Sequence, residues 1–125
     1  MRREVCHLSS LASEHIVRYH GTQLKGHRLW LVMEWMELSV ADWVAGLGVR
    51  EGEKALDEEV VAVVLRDVLR GLAFLHAQGL VHRDVKGSNC LIAADLSRVK
   101  LGDLGLAAPL RESRAGAGAA PTRAA

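Results

Sequence analysis

Apolar residues recur along this chain with two different spacings. From Asp57 onward, Val61, Val64, Leu65, Val68, Leu72 and Leu75 fall at i, i+3, i+4 intervals, the signature of one face of a long helix. Asp57, Glu58 and Glu59 put negative charge on its first turn, where the helix dipole favours it, and Gly79 stands where a helix ends. Val5, Leu8, Leu11 and Ala12 repeat the helical spacing and predict the end of a helix over residues 3–13. Two short apolar runs follow, Ile16–His20 and Leu29–Glu34. The stretch between them, Gly21 to Arg28, is polar with two glycines, so two strands joined as a hairpin are expected. The segment Glu37 to Gly48, with possible caps at Ser39 and Asp42, predicts a short helix, and Val49 to Ala55 a loop. Beyond the long helix, Leu91–Ala93 and Val99–Leu101 flank a turn-like Ala94–Arg98 and predict a second hairpin. From Ala115 on, eight of eleven residues are Ala or Gly with no face to bury, which predicts a disordered tail. No internal repeat is visible.

Composition narrows the class. The 125 residues are half apolar and a quarter charged, ordinary for one small soluble domain. A net charge of +1 creates no field that would draw nucleic acid or a membrane surface. No apolar run approaches the about 20 residues of a membrane span, and no apolar stretch follows Met-Arg-Arg-Glu to make a secretory signal. Cys6 and Cys90 lie far apart and outside any CxxC pair, so they read as buried small apolar residues in a reducing, cytoplasmic compartment. His7, His15, His20 and His27 lack metal-ligand spacing, and Trp30, Trp35 and Trp43 read as packing residues.

The chemistry concentrates in Val81-His82-Arg83-Asp84-Val85-Lys86-Gly87-Ser88-Asn89. Phosphoryl transfer to a hydroxyl needs a carboxylate to orient the nucleophile and take its proton, which Asp84 supplies. It also needs oxygen ligands for Mg²⁺. Asn89 offers an amide oxygen, and Asp103, fourteen residues on, a carboxylate in Asp103-Leu104-Gly105. The catalytic-loop pattern, the gap to Asn89, a hairpin and then Asp-Leu-Gly occur in that order. Together they resemble the catalytic loop and metal-binding tripeptide of eukaryotic protein kinases.

The resemblance implies an α+β, two-lobed kinase fold, present in part, and it extends upstream. Glu4-Val5-x-x-Leu8-x-x-Leu11, running into Ile16-Val17-Arg18-Tyr19, resembles the end of the small-lobe helix and the strand after it, with Glu4 as the glutamate that meets a strand lysine. Leu31-Val32-Met33-Glu34-Trp35-Met36 resembles the strand leading into the hinge. By resemblance Met33, Glu34 and Met36 surround the adenine and Leu91 lies beneath it. Asp84 orients and deprotonates the substrate hydroxyl, Lys86 steadies the transferred phosphoryl group, and Asn89 and Asp103 hold metal. Arg83 receives an activation-loop phosphate, and His82 packs structurally. Lys86 two residues after Asp84 points to Ser/Thr specificity, and the flanking residues resemble the sterile-type and MAP kinase kinase kinase-like groups. The implied cofactors are ATP and Mg²⁺, and the implied partners are proteins bearing Ser or Thr and other kinase-cascade proteins.

The chain departs from the family pattern in four places. Leucine stands in the middle of the D-F-G tripeptide. No glycine-rich loop precedes Glu4, no V-A-I-K lysine is present to meet it, and no A-P-E follows Asp103. The expectation is therefore a partial kinase domain over residues 1–108 with an Ala/Gly-rich tail over 109–125, inactive alone because catalysis of this kind is positioning and electrostatics. The competing expectation is a non-catalytic kinase-fragment interaction module or decoy.

Overall fold

The computed structural model describes residues 11–48, 53 and 56–110. Its first element is an antiparallel hairpin of β1 (Tyr19–Lys25) and β2 (Arg28–Met33), with Lys25 opposite Arg28 and only Gly26 and His27 in the turn. Gly26 takes φ +59°, the left-handed conformation that such two-residue turns require. The expected strand at Ile16–His20 and the long loop Gly21 to Arg28 are thus corrected. Thr22 and Gln23 look like loop residues, but on a hairpin open to solvent, polar side chains occupy strand positions at no cost. Ile16 lies outside the hairpin: it is buried and makes a single parallel bridge to Leu101.

β3 (Met36–Ser39) leads straight into α1 (Val40–Gly46). The Ser39 hydroxyl caps that helix, accepting the Asp42 amide at 3.0 Å and donating to the Asp42 carboxylate at 2.6 Å. The helix expected over Glu37 to Gly48 therefore gives up its first residues to a strand. The reason lies far away in sequence: Met36, Leu38 and Ser39 pair with Ala93, Ile92 and Leu91.

α2 (Glu58–Ala77) begins after Asp57 as expected and is followed by Gly79 at φ +72°. Its buried positions are Asp67, Val68, Gly71 and Leu75, with Val64, Leu72 and Phe74 packed beside them. Val61 and Leu65, expected on the buried face, are exposed. The contact face is turned toward Gly71 because the helix lies on the His15–Ile16 segment there. A Cβ on Gly71 would stand 2.8 Å from the His15 carbonyl oxygen.

β4 (Leu80–Val81) pairs with β7 (Ala108–Pro109), and β5 (Cys90–Ala93) pairs antiparallel with β6 (Val99–Leu101). The order β3-β5-β6 makes a three-stranded sheet. Its turn is closed by Asp95, whose carboxylate accepts the Ser97 amide and hydroxyl at 3.0 and 2.7 Å. The core joins Leu11, Ile16, Val68, Leu75, Cys90, Ile92, Val99 and Leu101. Trp43 packs against it as expected. Trp30 and Trp35 do not: they are 54% and 78% exposed. The expected helix over 3–13, Cys6 and the Ala/Gly tail lie outside the described residues, apart from Leu11 to Ser13 and from Pro109 and Leu110, the first of which belongs to β7. This mixed helix and sheet arrangement is an α+β fold, as the resemblance implied.

Candidate active site

The segment 82–89 is folded around two side chains that point inward. His82 is fully buried. Its Nδ1 accepts the Asp84 amide at 3.2 Å, so the ring proton sits on Nε2, which donates to the Gly102 carbonyl at 2.8 Å. Asn89, buried at the end of a 3-10 turn over Gly87–Asn89, donates through Nδ2 to the Asp84 carbonyl at 2.8 Å and to its carboxylate at 3.1 Å. Between them Arg83 takes φ +69°, and its Nε donates to the Leu106 carbonyl at 2.6 Å. This left-handed residue turns the chain so that Asp84 faces Asn89.

Lys86 reaches the Asp84 carboxylate at 2.8 Å. The Lys86 hydrogen bond is the main reason the Asp84 carboxyl lies below its ordinary range, with the Asn89 amide adding to it. Asp84 in turn raises the Lys86 ammonium, and the Asp103 charge raises it further. The two carboxylates therefore act on one cation. Asp103 is carried in from β6 by Gly102, whose amide donates to the Asn89 carbonyl at 2.9 Å while its own carbonyl takes the His82 proton. A Cβ on Gly102 would stand 2.9 Å from Leu91 Cδ1, so this position admits no larger residue without movement. Asp103 itself is left-handed, at φ 51° and ψ 72°, and its carboxylate accepts the Gly105 amide at 3.3 Å. Leu104 packs against the core cluster.

These donors suit a magnesium ion. With Nδ2 of Asn89 engaged, its Oδ1 is left as an acceptor, and Asp103 supplies a carboxylate of hard oxygens. Among the described residues no three His, Cys, Asp or Glu side chains gather at one point, so an ion here would share its coordination with phosphate oxygens and water.

The expected adenine residues are more spread out. Met33 ends β2 and is exposed, whereas Met36 opens β3 and is half-buried. Leu91 lies on β5, opposite Ser39 and Lys100. The Glu34 amide donates to the Arg18 carbonyl at 2.8 Å. Glu4 lies outside the described residues.

Three structural residues escape a reading by motif. Asp67 is 1% exposed, and its carboxylate accepts the Val99 amide at 3.0 Å and the Arg66 guanidinium at 3.0 Å. Gly102 fills the tight place beside Leu91. Lys100 pairs with Glu34. The available signal for Lys100 was its place between two apolar residues of a short strand, where alternation sends it to the opposite face.

Comparison with known proteins agrees with this geometry. Residues 1–123 match the protein kinase domain family. The chain is 36% identical over 110 residues to the serine/threonine-protein kinase sid1 of Schizosaccharomyces pombe, covering 88% of this chain and 22% of that protein. It is 35% identical over 117 residues to the serine/threonine-protein kinase pakG of Dictyostelium discoideum, covering 93% of this chain and 9% of that protein. Over 114 residues it is 35% identical to the serine/threonine-protein kinase cst-1 of Caenorhabditis elegans, covering 90% and 22%. The chain thus spans about a fifth or less of the length of these relatives. With the catalytic-loop pattern in sequence, the Asp84–Lys86–Asn89 cluster in space and a family match over nearly its whole length, this chain belongs to the protein kinase domain family.

Proposed function

We propose that residues 1–108 carry the catalytic-loop part of a sterile-type Ser/Thr protein kinase, which transfers the γ-phosphoryl group of ATP to protein hydroxyls in the cytoplasm. The observation that carries this reading is the Asp84–Lys86–Asn89 cluster, joined to Asp103 through Gly102. Asp84 accepts the proton of a substrate Ser or Thr hydroxyl. Asn89 holds that carboxylate in place and, with Asp103, offers oxygens to metal. Magnesium, when bound, would neutralise the phosphate charge. Lys86, paired with Asp84 and in the field of the Asp103 charge, is the cation that would steady the transferred phosphoryl group. Arg83, exposed beside Leu106, presents a guanidinium suited to an activating phosphate.

The test is titration of the 125-residue chain with Mn²⁺ and ADP, followed by water-proton relaxation. The expected result is nucleotide-dependent Mn²⁺ binding that Asp103→Asn weakens at least about tenfold, as loss of a charged ligand should. A folded chain that binds no Mn²⁺·ADP would end this reading. Phosphotransfer by this chain alone should be orders of magnitude below that of the whole domain, because the lysine and glycine-rich loop that position the phosphates are not in its sequence. A second reading, a non-catalytic interaction module, is favoured by β2, whose six side chains are all exposed. Retained fold with no metal-nucleotide binding is the result expected of that module.

A further inference from the structure

The β1–β2 hairpin is joined to the three-stranded sheet through one small junction. Val17 donates its amide to the Leu101 carbonyl at 3.0 Å, and Leu101 donates its own to the His15 carbonyl at 2.8 Å. The Glu34 side chain closes the junction from the hinge side. One carboxylate oxygen accepts the Arg18 amide at 3.1 Å, and the other takes the Lys100 ammonium at 2.5 Å. Both side chains are shielded, at 28% and 13% exposure, beside a cavity of about 350 Å³ that Arg18 and Glu14 also line. Burial alone would raise the Glu34 carboxyl, yet Lys100 and the Arg18 amide hold it below its ordinary range.

Lys100 sits three residues before Asp103 in β6, between the buried Val99 and Leu101. The strand's alternation therefore sends its ammonium away from the core and toward the hinge. Glu34 lies in the short link between β2 and β3, next to Met33 and two residues before Met36. One ion pair thus spans the segment expected to read the adenine and the strand that delivers a metal ligand.

We propose that Glu34 and Lys100 are a positioning pair, which sets the hinge at a fixed place relative to β6 and so holds Asp103 in register with a nucleotide seated on residues 33–36. The purpose assigned to the pair rests on the nucleotide reading above; its mechanical role rests on the junction alone. The pair touches neither metal nor phosphate. Its effect is to stop the hairpin from swinging, a motion that Val17–Leu101 backbone bonding alone would resist weakly.

The experiment measures amide hydrogen exchange in the full 125-residue chain and in its Glu34→Gln, Lys100→Met and Lys100→Arg variants. Expected is faster exchange in the first two, by about tenfold, at Arg18 and over Gly102–Gly105, with Val68 and Leu72 in α2 unchanged. Lys100→Arg should restore most of the protection, which a merely space-filling role would not require. A parallel Mn²⁺·ADP titration should show affinity lost several-fold in Lys100→Met and recovered in Lys100→Arg. Unchanged exchange on either side of the junction overturns the proposal. So does equal acceleration in α2, which would make the pair a support of the whole fold. If the parent chain takes up no Mn²⁺·ADP, the nucleotide reading falls while the exchange pattern still decides whether the pair holds the junction.

Discussion

Asp67 is the acceptor that lets β6 begin where it does. The first amide of that strand, at Val99, has no strand partner beyond it and would be buried unpaired without the carboxylate. Asp67→Ala should therefore cost about 2–3 kcal/mol, read as a lower urea midpoint, because it strands a buried donor beside a partly freed Arg66. The pH dependence follows from the same contact. Burial pushes the Asp67 carboxyl up, but the Val99 amide and Arg66 outweigh it and leave it below the ordinary carboxylate range. Stability from such a group is present above the unfolded value and is lost as pH falls through the folded one. Urea midpoints should hold from neutral pH down to about pH 5 and drop below about pH 4, and Asp67→Asn should flatten that drop.

Among the elements, α2 shows most directly how packing overrides propensity. Gly71→Ala would improve helix propensity by about 1 kcal/mol, yet its methyl would meet the His15 carbonyl at 2.8 Å. The rigid neighbour decides the sign: a net loss of about 1–3 kcal/mol is expected in thermal or urea unfolding. Nothing in the helical pattern announces this, since Gly71 lies among good helix formers and its constraint comes from a segment fifty-six residues away. The second hairpin and the start of α2 were legible because their signals are local: a turn between apolar runs, acidic residues on a first turn. The first hairpin and β3 were not, because exposed strands need no apolar alternation and β3 depends on pairing with β5. The residues of the 82–89 loop were legible by pattern. Their mutual hydrogen bonds were not, since those need the left-handed turn at Arg83.

Across the whole molecule the packing is uneven. The three-stranded sheet, α1 and α2 share one core, whereas the β1–β2 hairpin exposes Leu24, Leu29, Trp30, Leu31, Val32 and Met33. Acrylamide should quench the fluorescence of single-tryptophan variants retaining Trp30 or Trp35 strongly, and that of a variant retaining Trp43 weakly. An exposed apolar strand whose outer edge pairs with no strand among the described residues also favours association. Sedimentation velocity should show concentration-dependent self-association that Leu31→Lys reduces.

The tip of that hairpin has a further consequence. Lys25 and Arg28 flank Gly26 and His27, all four exposed, at the point farthest along the chain from either anchored end. Among the described residues, trypsin should nick the native protein there first, with the sheet and helix undamaged. The two pieces would then stay together through the β1–β2 ladder, the bonds of His15 and Val17 to Leu101, and Ile16 in the core, which makes separation of the nicked halves a clock for how often that whole seam lets go.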